Sequence, residues 1–106
     1  MVVEKQVAAY NAHDVEAMIA TFAPDVRFYM HPNELKLSGL DEVRQAYTRL
    51  FTKAPKVHVV IQRRIAQGNF VVDDEHVTGL PNVAYEDAIA IYEVRDQHIV
   101  AVWFIR

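Results

Sequence analysis

The segments Ala88-Ile89-Ala90-Ile91-Tyr92 and Ile99-Val100-Ala101-Val102-Trp103-Phe104-Ile105 constrain this chain more than any other part of it. Successive side chains of a strand point to opposite faces of a sheet, so a strand that is apolar at consecutive positions needs cover on both sides. An antiparallel strand screened on one side only would alternate apolar with polar residues, and these two do not. The fold must therefore bring a second cover to whichever face its own helices leave open.

The remaining residues limit what that fold can be. A chain of 106 residues supports one hydrophobic core, and its three Gly and four Pro form no linker, low-complexity tract or repeat, so residues 1–106 are expected to be a single domain. Turn signals at Gly68-Asn69, Gly79-Leu80-Pro81-Asn82 and Asp96-Gln97 divide the second half into extended segments at 57–65, 70–77, 84–94 and 98–105, all rich in β-branched and aromatic residues.

The first half is helical in pattern. Val3, Val7, Ala8 and Tyr10 form one stripe; Asn11-Ala12-His13 interrupts it; Asp14 then caps a second helix with Glu16 in its first turn. That helix carries Met18, Ile19 and Phe22 inward and ends before Pro24. Val26, Phe28 and Met30 alternate with Arg27 and Tyr29 as a strand, Pro32 bars His31 from helical geometry, and a short strand follows. Ser38 with Asp41 resembles a capping box opening a third helix with Val43, Tyr47, Leu50 and Phe51 inward, which Pro55 ends. The order ααβ, short β, αββββ predicts an α+β domain with three helices packed on one face of a curved, mainly antiparallel sheet.

Three modest helices screen one face. The odd-numbered set Ile89, Ile91, Ile99, Ala101, Trp103 and Ile105 is then expected on the other, where a second copy of the same face would cover it in a two-fold homodimer. The competing reading, a loop or the first helix wrapping round, needs longer connections than the chain has.

Composition excludes several function classes. Eleven Lys+Arg against fourteen Asp+Glu give a net charge of -3, which argues against nucleic acid or an anionic membrane as partner. With no cysteine, disulfides, thiolate nucleophiles and cysteine-ligated zinc drop out together. No apolar run reaches the roughly 18–20 residues that span a bilayer, and Met1-Val2-Val3-Glu4-Lys5 lacks the features of a signal peptide, so a cytoplasmic location is expected.

Four stretches in this order, Ala9-Tyr10-Asn11-Ala12-His13-Asp14-Val15, Thr21-Phe22-Ala23-Pro24-Asp25-Val26-Arg27-Phe28, Ser38-Gly39-Leu40-Asp41-Glu42-Val43 and Ile91-Tyr92-Glu93-Val94-Arg95-Asp96-Gln97-His98-Ile99-Val100, resemble the nuclear transport factor 2-like superfamily, closest to its SnoaL-like and ketosteroid isomerase-like branch. The resemblance implies a cone-shaped roll enclosing a deep apolar pocket, usually in a dimer. Its members include isomerases, cyclases, hydratases, hydrolases and catalytically silent binding domains, so it does not by itself imply an activity. Here the first helix starts short and Gln97 stands where the last hairpin commonly has Gly. The roles of a ketosteroid isomerase, an Asp base with a Tyr and a neutral Asp as oxyanion donors, fall on Met30 or, with a one-residue slip, His31, and on Gln6 and Ala90. None is retained in kind.

Extending those registers places Val72, Asp74, His76 and Thr78 on the pocket face of the fourth long segment. Asp74 and His76 are then neighbours about 7 Å apart, near enough to share a proton, with His31 at the mouth; these three are the candidate catalytic residues. The competing reading makes Asp73-Asp74-Glu75-His76 a solvated strand end. Gln6, Phe28, Met30, Tyr47, Phe51, Val72, Tyr92 and Phe104 are the candidate pocket lining, and Glu86 shares inward parity with Ala88, Ala90 and Tyr92. His31, Asp74 and His76 as a two-histidine, one-carboxylate metal face is a weaker alternative, and neither metal nor organic cofactor is expected. His13, His58 and His98 are read as solvent-facing or turn residues. Two functions remain: a small enzyme moving a proton on an apolar, carbonyl-bearing molecule, or a non-catalytic ligand-binding or dimerisation module.

Overall fold

In the computed structural model, which describes residues 1–106, two short helices open the chain: α1 (Val2–Asn11) and α2 (Val15–Ile19). Asp14 caps α2 as its sequence position predicts, its carboxylate accepting the Ala17 N–H at 3.0 Å. On α1 the buried stripe is Val3, Gln6 and Ala9, with Val7 and Tyr10 beside it, whereas Ala8 faces solvent.

α2 stops at Ile19 rather than running on towards Pro24. The Thr21 hydroxyl donates to the Met18 carbonyl at 2.6 Å, and the Thr21 carbonyl accepts the Ile99 N–H at 2.9 Å. Because Pro24 steers Ala23 away from helical backbone, Phe22, expected on the helix, becomes the first residue of β1 (Phe22–Met30) and is still buried.

β2 (Glu34–Ser38) pairs back on β1, and α3 (Leu40–Lys53) follows. Ser38 is not its cap. Gly39 fills that position at a φ of 85°, a conformation that costs a residue without Cβ little, and the Glu42 carboxylate reaches back to accept the Ser38 N–H at 2.8 Å.

β3 (His58–Gln67), β4 (Phe70–Thr78), β5 (Tyr85–Arg95) and β6 (His98–Ile105) form an antiparallel meander. The six strands lie in the order β2-β1-β6-β5-β4-β3, and only β1 and β6 run parallel. The helices gather on one face, the α+β arrangement expected. The core between the layers contains Val3, Met18, Val26, Val43, Ala90, Ile99 and Val102, all essentially inaccessible. No helix is long and apolar enough to cross a membrane.

One member of the expected outer set lies elsewhere. A register shift between Glu93 and Val94 sets Ile99 opposite Val94, and Ile99 is fully buried on the helix side. The bulge inverts face parity at that end of the strand. Ile89, Ile91, Trp103 and Ile105 keep the outer side, with Ala101 closely covered by its neighbours. Exposed Val60, Ile65 and Tyr85 extend that face.

Candidate functional site

Cross-strand partners share a face, and this rule decides the site. β4 and β5 pair so that Asp73 sits opposite Ala90, Glu75 opposite Ala88 and Val77 opposite Glu86. Since Ala88, Ala90 and Tyr92 face the helices as expected, Val71, Asp73, Glu75 and Val77 must face them too, and all four are buried. The expected parity of β4 is therefore reversed. Val72, Asp74 and His76 are on the outer side, where Asp74 pairs with Arg63 at 2.8 Å and His76 Nδ1 lies 2.8 Å from Asp87 Oδ1. His31 is exposed in the turn after β1, so the expected catalytic trio is not assembled, and no group of three His, Asp or Glu side chains is placed to hold a metal ion.

A cavity of about 160 Å³ lies between α1, α3 and the inner face of the sheet. Residues spaced one helical turn apart project Gln6 and Tyr10 from α1 into it. α3 supplies Tyr47, β5 Glu86 and Tyr92, and β6 Phe104. Of the expected lining, Gln6, Tyr47, Tyr92 and Phe104 border this space. Phe28 and Phe51 pack behind Tyr47, with ring centroids 6.2 and 6.1 Å from it, and Met30 lies outside the lining. The hollow exists where it does because Ala88, directly across from Glu75, has no side chain long enough to fill it.

Two ties hold the cavity walls together. The Asn11 amide donates to the Val59 carbonyl at 2.9 Å and accepts the Val59 N–H at 2.8 Å, clamping α1 to β3. His13 lies in the turn between α1 and α2 as expected, but it does not face solvent: it stacks on Phe51 at 4.5 Å and its Nε2 donates to the Val57 carbonyl at 2.7 Å, a structural strut between layers.

Glu75 is the chemically distinctive group. It is 8% exposed, and burial, reinforced by the neighbouring Asp73 carboxylate, pushes its pKa up to about 7 against the opposing pull of Arg106, the Tyr92 hydroxyl and Arg64. The Tyr92 O–H lies 3.2 Å from Gln6 Oε1 and 3.5 Å from Glu75 Oε2, linking the three. Burial also pushes the Tyr10 phenol up to about 12 and raises those of Tyr47 and Tyr92 well above the ordinary tyrosine value, so all three are neutral hydrogen-bond donors at physiological pH. Tyr10 and Tyr47 both line the cavity.

Behind Glu75 lies a second charge. Asp73 is fully buried and receives a two-point contact from Arg64, Nε to Oδ1 at 2.6 Å and Nη2 to Oδ2 at 2.9 Å. Neither borders the cavity. The pair therefore acts on any ligand through Glu75 rather than by contact.

The profile of the SnoaL-like domain family matches residues 3–102, and the chain belongs to that family. Its structural neighbours carry the nuclear transport factor 2-like fold. An uncharacterised cystatin-fold protein from Novosphingobium aromaticivorans is 27% identical, with 99% of this chain and 95% of that one aligned at a TM-score of 0.92. A ketosteroid isomerase-like protein from Catenulispora acidiphila, solved with trimethylamine, is 18% identical over 97% of this chain and 82% of its own, with a TM-score of 0.83. A candidate polyketide cyclase from Sinorhizobium meliloti is 16% identical over 97% and 92%, with a TM-score of 0.84. A search of curated proteins found no relative.

Proposed function

We propose that this protein is a cofactor-independent enzyme that transfers a proton on a small carbonyl-bearing molecule, with Glu75 as the acid and base. The observation that carries this reading is a buried carboxyl group on the wall of a cavity, its pKa pushed up to about 7 by burial, since a proton shuttle works best when its pKa lies near the working pH. The ionised Glu75 takes a proton from the carbon beside the carbonyl, and the electron pair left behind moves onto the carbonyl oxygen. Tyr10 and Tyr47 donate hydrogen bonds to that oxygen as its negative charge grows. Glu75 then returns the proton to the same carbon or a conjugated one, so no atom is gained or lost unless a leaving group departs.

The size of the cavity narrows the ligand. A space of about 160 Å³ corresponds to about five liquid waters, which suits a short-chain carbonyl compound and not a steroid or a fused polyketide. The test is exchange of the α-hydrogens of 4-oxopentanoate or 2-hexanone in deuterated water, followed by proton NMR. The wild-type chain is expected to accelerate exchange and Glu75→Gln to abolish the acceleration. Equal rates for the two proteins would overturn the assignment.

We also propose that the outer sheet face is covered by a second copy of the chain. Ile65, Val60, Tyr85 and Ile105 are 68%, 50%, 56% and 40% exposed around half-buried Ile91 and Trp103. Ile65, Val72, Ile91 and Trp103 lie side by side across neighbouring strands of this face, an apolar row that single soluble subunits rarely leave open. A two-fold, self-complementary contact would remove it without blocking the cavity on the other side.

A further inference from the structure

Arg106 stands at the mouth of the Glu75 cavity with its hydrogen-bonding capacity unspent. Its Cζ lies 4.8 Å from the Phe104 ring centroid, and its nearest carboxylate oxygen, Glu86 Oε1, is 3.7 Å from Nε, beyond hydrogen-bond reach. The ring supports one face of the guanidinium and leaves the N–H edges available, the geometry that takes a carboxylate at two points. Arg106, Glu75, Tyr10 and Tyr47 line one hollow, and the positive charge of Arg106 lowers the proton affinity of the other three.

We propose that Arg106 anchors a carboxylate on the ligand, which makes the substrate class a short oxo acid: carboxylate at the mouth against Arg106, ketone inside between Glu75 and the Tyr10 and Tyr47 hydroxyls. The ketone half rests on Glu75 as the proton-transfer group; the anchor does not. The cavity offers both ends of such a molecule a partner within its modest volume. A neutral ketone of the same size would leave the Arg106 donors unused.

The charges that oppose this arrangement are few. β5 contributes Glu86, which competes for Arg106, but with side chains 39% and 47% exposed the pair is weakly held. β4 contributes Glu75, which repels an anion only when ionised. From α1, α3 and β5 come the neutral phenols of Tyr10, Tyr47 and Tyr92, and β6 contributes only Phe104. Asp73 on β4 is neutralised by Arg64 on β3. Anion binding therefore strengthens as pH falls through the titration of Glu75, whereas binding of a cation would weaken.

The experiment is isothermal titration of the wild-type chain and the variants Arg106→Gln, Glu86→Gln and Glu75→Gln with 4-oxopentanoate, 2-hexanone and tetramethylammonium. Arg106→Gln is expected to weaken 4-oxopentanoate about tenfold or more, the worth of a charge-assisted hydrogen bond, and to leave 2-hexanone unchanged. Glu86→Gln should tighten 4-oxopentanoate. Wild type should bind it more tightly at about pH 6 than at about pH 8, and Glu75→Gln should lose that dependence. Arg106→Gln binding 4-oxopentanoate as wild type does, or wild type preferring tetramethylammonium, would overturn the proposal. Arg106-dependent binding without α-hydrogen exchange upholds the anchor and removes only the Glu75 mechanism.

Discussion

Replacing Glu75 with Gln removes a carboxyl group whose proton affinity rises on folding, from 4.5 to about 7. For a carboxyl shifted upward, the stability linked to its proton is fully present below the unfolded pKa and lost as pH rises through the folded one. With about 1.4 kcal/mol for each pH unit between the two values, the raised pKa of Glu75 costs the folded protein about 3 kcal/mol at pH 8 and about 1 kcal/mol at pH 5. Its exposure of 8% leaves little solvent screening to reduce this. Gln keeps the shape and an oxygen that accepts the Tyr92 O–H, without the charge. Urea denaturation followed by circular dichroism should find Glu75→Gln more stable than wild type by about 2 to 3 kcal/mol at pH 8, the gap narrowing below about 1 kcal/mol at pH 5. A gap that does not change with pH, or one in which wild type is the more stable at pH 8, would refute the burial argument.

Three further outcomes follow from other parts of the structure. Arg64→Met should cost about 3 to 5 kcal/mol by stranding the buried Asp73 charge, and Arg64→Met with Asp73→Leu should recover most of it; urea titration checks this, and a single-variant cost below about 1 kcal/mol would contradict it. Gly79→Ala should cost more than about 2 kcal/mol, because Gly79 has a φ of 78° and a Cβ there would fall on the Lys56 carbonyl; a thermal midpoint equal to wild type would be the contrary result. Analytical ultracentrifugation should find a dimer that Ile91→Arg dissociates while Glu75 keeps its titration. A wild-type monomer at high concentration would remove the outer-face interface.

Most of the layer arrangement was legible in the sequence because it depends on features that act locally. Asp14 needed only its own helix to cap, and the turns at Gly68, Gly79 and Asp96 needed only backbone preference. What failed was the face parity of β4 and of one end of β6. The valines at 71, 72 and 77 fit either parity of β4, so the parity that puts Asp74 and His76 inside and Asp73 and Glu75 outside rests only on registers extended from the family resemblance. Cross-strand pairing carried the missing signal: once Ala88 and Ala90 are directed inward, the Gly79–Asn82 turn makes Glu75 and Asp73 their partners. Ile99 falls on the other face for a related reason, since a bulge at Val100 leaves no mark in an unbroken apolar run. Arg106 draws its meaning from Phe104 and Glu86, which only the folded sheet brings beside it.

The most direct measurement is a carbon-13 NMR titration of the Glu75 carboxyl in uniformly folded protein, assigned by its absence from Glu75→Gln. A midpoint near pH 7 is expected, shifting down when Asp73→Asn removes the carboxylate charge beside it. A midpoint in the ordinary range of an exposed glutamate, about 4.3, would contradict the claim that this buried cavity is built around a proton shuttle.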